Sequence, residues 1–192
     1  MSAAIPIGST PRGEHDAAAV AILRELCRPL AGGDAIDPTC VVVQPDEIPH
    51  PTDALLVHHE HMTEVLRRRY GRPVQVQVLD EHLNGDHYTR KVSLTPTGGG
   101  PVVEWGVVRM DLRYIPDDVR KEILAKQSPL GEILIRHNVH RRIKPRWFMR
   151  FPARGPMLTF FGEAGAVPLY GRIGTIYCDE KPAIELLEIV TA

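Results

Sequence analysis

A chain of 192 residues with 43% hydrophobic content is long enough to bury a proper core as one soluble domain, and its formal charge of −1 argues against a general polyanion binder. No apolar run approaches a membrane span. Residues 1–15 lack the basic and then apolar regions of a signal peptide, so the reading is a flexible terminus over 1–15 and a single domain over 16–192 of a cytoplasmic protein.

Asp16–Leu30 carries helical spacing in Val20, Leu23, Cys27 and Leu30 and stops at Gly32-Gly33. Residues 38–51 are proline-rich and read as irregular, and 53–70 reads as one helix ended by Gly71. Val74–Leu79 alternates Val74, Val76 and Val78 against Gln75 and Gln77, a strand with one wet face. Tyr88–Leu94 and Val102–Leu112 are two further strands, joined through a glycine-rich return at Thr97–Pro101. Asp117–Lys126 and Gly131–His137 read as short helices, while 136–161 is basic and aromatic without a clear period. Tyr170–Cys178 and Ala183–Val190 form a terminal hairpin around Asp179–Pro182. Short returns favour antiparallel pairing, so the mixture predicts an α+β fold, an antiparallel sheet with helices covering one face.

Two polar residues interrupt apolar stripes. The two-residue period of a strand puts Arg90 on the face of Tyr88, Val92 and Leu94, where a guanidinium must find an anion, either a ligand's or a carboxylate of the chain. In the last strand Ile184, Leu186 and Glu188 share one face and Ala183, Glu185, Leu187 and Ile189 the other, so each face carries one acid and periodicity does not choose between Glu185 and Glu188.

Other clusters carry less. His58-His59-Glu60-His61 has no HExxH spacing and reads as a solvated helix start rather than a metal site. His137 and His140, with Arg136, Arg141, Arg142, Lys144, Arg146 and Arg150, read as a solvated face or a pocket entrance. Cys27, Cys40 and Cys178 are odd in number and widely spaced, which fits reduced thiols. No P-loop, GxGxxG or GxSxG is present.

Several segments in order carry a resemblance: Glu60-His61-Met62-Thr63-Glu64, Val74–Val78, Arg90–Leu94, Ser128-Pro129-Leu130-Gly131-Glu132, Gly171-Arg172, and Lys181-Pro182 leading into a glutamate-bearing strand. Together they resemble the chorismate pyruvate-lyases over most of the chain from Leu55 onward. The resemblance implies a six-stranded antiparallel sheet with helices on one face and an enclosed internal ligand cavity. It implies a cofactor-independent carbon–oxygen lyase that removes pyruvate from chorismate and leaves 4-hydroxybenzoate for quinone or specialised metabolism. Arg90 would anchor a substrate carboxylate, Met62 and Leu130 would contact the ligand, and Glu188 would be the general acid, with Glu185 the fallback.

Chorismate is a dianion, and this chain has Ile173, Thr175 and Trp105-Gly106 where such relatives carry further arginines. Arg172 and Arg109 are the residues that compensate, Arg109 reading more simply as a solvated strand residue. Two other functions stay open: a same-fold enzyme acting on a different cyclic carboxylate, and a non-catalytic small-molecule-binding module like the UTRA effector domains of bacterial repressors. The segment before Leu55 reads as too short and proline-rich for the helix-turn-helix domain that precedes a UTRA domain. The expected partner is a small carboxylate, with no nucleic acid, no membrane span, no cofactor and no metal; monomer and dimer are equally open.

Overall fold

The structure is a computed structural model and describes residues 12–30, 40–152, 161–162 and 167–191. Among them run helices α1 (Arg12–Cys27), α2 (Thr52–Leu56), α3 (Met62–Tyr70), α4 (Asp117–Ala125) and α5 (Leu130–Arg136). The strands are β1 (Val41–Val43), β2 (Val74–Asn84), β3 (His87–Pro96), β4 (Glu104–Asp111), β5 (Arg141–Phe151), β6 (Leu169–Cys178) and β7 (Lys181–Val190). They form a single sheet in the order β1-β5-β6-β7-β4-β3-β2, every neighbouring pair antiparallel.

The sheet therefore has seven strands rather than six. The extra edge is β1, a three-residue strand inside the stretch that reads as irregular, paired with β5. β5 itself covers most of the basic-aromatic stretch. Its period is hidden because the register slips between Pro145 and Trp147, so Ile143 and Phe148 pack on one side while Trp147, Met149 and Phe151 pack on the other. Phe160 lies outside the described residues, as do 1–11 of the proposed terminus; α1 begins at Arg12, four residues before the expected start.

Helices cover both faces, not one. On the first face Val108, Met110, Ile176, Ile184 and Leu186 meet α4 and α5, and Leu94 and Val190 meet α2 and α3. On the second face Trp105, Val107, Ile173, Leu187 and Ile189 lie under α1, whose Ala19, Leu23, Leu26 and Cys27 recur at helical spacing. Burying both faces explains why β4, β6 and β7 read as nearly continuous apolar runs.

The helix expected over 53–70 is two helices. α2 stops at Leu56, residues 57–61 cross as an irregular strap, and α3 starts after an extended His61 and ends at Gly71 in the left-handed region, φ 68°. The strap sits against the first face, and its backbone supplies part of the site.

Candidate functional site

Strand parity and register bring the singled-out residues to the first face. Arg90 stands opposite Val108 on β4, Glu188 stands opposite Gly106 on β4 and Arg172 on β6, and Glu104 starts β4 opposite Leu94 and Val190. Over them lie Met62, the first residue of α3, and Leu130, the first residue of α5. Arg90, Met62, Leu130, Glu188 and Glu104 all line one cavity between the sheet and these helices.

That cavity measures about 50 Å³. A water molecule occupies roughly 30 Å³ and a benzene-binding cavity on the order of 150 Å³, so the space takes a water or two and no ring. Among the described residues, the space beside Arg90 is smaller than the ligand cavity that the resemblance implies. Gly131 explains the tightness: a Cβ there would meet Thr63 Oγ1 at 2.5 Å and His61 Cβ at 3.0 Å, so α5 rests directly on the strap and α3.

Arg90 is 1% exposed, yet among the described residues no carboxylate reaches its guanidinium. Nη1 donates to the Ile123 carbonyl at 3.4 Å, near the C-terminus of α4, and the Tyr88 hydroxyl is its other contact. Nε has no partner. Glu81 lies behind Tyr88, accepting the Tyr88 hydroxyl at 2.6 Å and Lys126 Nζ at 2.6 Å, and is engaged there. Burial pulls the Arg90 pKa below its usual value, and Tyr88 and Glu81 only partly oppose it.

Arg172 is equally buried but fully engaged. Nε donates to Glu188 Oε2 at 2.6 Å, Nη1 donates to the carbonyls of Leu56 at 3.1 Å and His58 at 3.0 Å, and Nη2 donates to the Glu60 carbonyl at 3.3 Å. It is expected from the sequence to bind ligand; here its donors hold the strap and Glu188, and it is not among the residues that line the cavity. In this arrangement Glu188 is an acceptor in a buried ion pair rather than a free acid beside a leaving group.

The choice between the two glutamates resolves by side. Glu185 faces the second surface of the sheet, where it pairs with Arg109 and lies 3.6 Å from Arg146. Arg109, opposite Glu185 in the register, is committed there and adds no charge to the cavity.

Of the three strap histidines, His59 is exposed, His58 is half-buried and His61 is buried. His61 is 7% exposed and accepts from Arg141 Nε at 2.6 Å; burial, with Arg141 and Arg172 nearby, pushes its pKa down to about 4, so the ring is neutral at pH 7. His58 is lowered by burial and then by Arg172. Among the described residues, no group of three or more His, Cys, Asp or Glu side chains is placed to hold a metal.

Glu104 is the residue that sequence reasoning misses. It is 4% exposed, Oε2 has no hydrogen-bond partner, and burial, with the Glu188 charge beside it, pushes its pKa well above the usual carboxylate range against the pull of Arg172. The signal was present in its parity with Val108 and Met110, but a strand's first residue is where an acid is ordinarily solvated.

No protein-family model matches the chain, and no curated protein matches it. Solved structures do. The effector domain of PhnF from Mycobacterium smegmatis aligns with TM-score 0.51 and 10% identity over 69% of this chain and 89% of that one. A second structure of PhnF from the same organism aligns with TM-score 0.52 and 11% identity over 92% of this chain and 79% of that one. These neighbours have the UTRA form of the chorismate lyase-like fold. This chain shares that fold. The expected lyase is corrected accordingly: the structural neighbours are PhnF and its effector domain rather than enzymes, and Glu188 is tied to Arg172. No described helix is long and apolar enough to cross a membrane.

Proposed function

We propose that this chain is a non-catalytic module that binds a small anionic molecule, with the anion held by Arg90 and the ligand body packed against Met62 and Leu130. The observation that carries this reading is the buried Arg90 guanidinium, which among the described residues meets a carbonyl and a phenol and keeps Nε unpaired. An isolated buried cation costs several kcal/mol, and a ligand carboxylate or phosphate taken bidentately by the planar fork would offset that cost. The fold shared with the PhnF effector domain supports binding without turnover.

The small cavity belongs to this reading. A ligand larger than water enters by moving α3 and α5 off the sheet, so occupancy and the position of the helix layer are one equilibrium, and the ligand favours whichever state it contacts better. Thermal shift and calorimetry against a panel of small carboxylates and phosphate esters, chorismate included, test the reading. At least one compound is expected to raise the melting temperature, to lose that effect with Arg90→Met, and to be recovered unchanged by chromatography. Equal binding by wild type and Arg90→Met, or conversion of the compound, overturns it.

A further inference from the structure

The cavity has a second end. Across it from Arg90 lies a cluster of two carboxylates and one guanidinium: Glu104, Glu188 and Arg172. Glu104 and Glu188 are diagonal neighbours, since Glu188 pairs with Gly106, two residues along β4 from Glu104. Arg172 Nε is spent on Glu188 Oε2, and its other donors go to strap carbonyls, leaving Glu104 Oε2 buried and unpaired against the cavity. The neighbours from the strap bring no compensating charge, because burial favours the neutral form of both His58 and His61; Arg141, from β5, is hydrogen-bonded to His61. One cation facing two acids leaves room for exactly one more positive charge, either a proton on Glu104 or a cation from outside.

We infer that the ligand of this cavity is an amino acid-like zwitterion, its anionic group on Arg90 and its ammonium on Glu104. Arg90 stands opposite Val108 and Glu104 four residues earlier on the same strand, a separation of about 13 Å between backbone positions. The two long side chains reach into the cavity from either end, so the ligand between them is short. Without ligand, Glu104 holds a proton; when an ammonium docks, that proton leaves to solvent and the carboxylate accepts the N–H donors, so the buried charge stays balanced. The inference rests on the anion-binding reading of Arg90 and adds the chemistry of the opposite end.

Matched pairs test it: β-alanine against propionate and γ-aminobutyrate against butyrate, by calorimetry on the full chain at pH 7 in two buffers of different ionisation enthalpy. The amino compound is expected to bind at least tenfold more tightly than its partner and to release about one proton, with Glu104→Gln collapsing the ratio toward one. If the simple carboxylates bind through Arg90 but the amine adds nothing and releases no proton, the zwitterion inference is overturned while the anion site stands. If neither member of either pair binds, both the anion site and the inference built on it fall for ligands of this size.

Discussion

Glu104 and Glu188 lie diagonally across β4 and β7 beside one guanidinium, that of Arg172, which is hydrogen-bonded to Glu188 and reaches Glu104 only through its charge. The pair makes folding proton-linked. Glu104 has its folded pKa raised above the ordinary 4.5, so the folded state holds a proton that the unfolded state has released. Its contribution is fully present below 4.5 and is lost as pH rises toward the folded value. Over that interval this group lowers stability with a slope of up to about 1.4 kcal/mol per pH unit. Glu104→Gln flattens this slope in urea denaturation.

The His61 slope has the opposite sign. Its folded pKa of about 4 lies below the ordinary 6.5, so the unfolded state takes up a proton that the buried ring refuses. Stability is full above 6.5 and is lost as pH falls toward 4, again by up to about 1.4 kcal/mol per pH unit. Urea midpoints between pH 6.5 and 4, compared with His61→Gln, check this; the variant shows the weaker dependence.

The two buried arginines, Arg90 on β3 and Arg172 on β6, respond differently to the same substitution. Arg90→Met removes an uncompensated cation and leaves the folded chain unchanged or more stable, by up to about 3 kcal/mol. Arg172→Met strands Glu188 beside Glu104 and frees the strap, costing about 3–5 kcal/mol. Chemical denaturation of the two variants side by side measures the contrast.

Gly131→Ala inserts a methyl group at 2.5 Å from Thr63 Oγ1. The clash is expected to cost about 1–3 kcal/mol and to part α5 from α3. A lower melting temperature together with faster hydrogen exchange in α3 and α5 is the expected outcome.

What was legible in the sequence was parity. Arg90 among Tyr88, Val92 and Leu94 points to its side of the sheet before any coordinates, and all four share that face in the fold. Met62 and Leu130 reach the same cavity through the resemblance. The failures have local causes. β5 escapes because a bulge at Pro145 reverses its parity midway. The break at 57–61 escapes because nothing in Val57-His58-His59-Glu60-His61 punctuates a helix; it is made by tertiary contact, as Arg172 takes carbonyls that a continuous helix would have bonded internally. The single-face helix layer fails because α1, a clear helix in the sequence, carries no mark of which surface it will cover.

Arg172 also fastens three pieces of chain with one side chain: its own strand, β7 through Glu188, and the strap leading into α3. A molecule that draws Glu188 toward itself therefore tugs on the same rivet that pins the α2–α3 corner. Events at the floor of the sheet are mechanically joined to the outer rim of the helices, and any protein or domain resting on that rim would feel them.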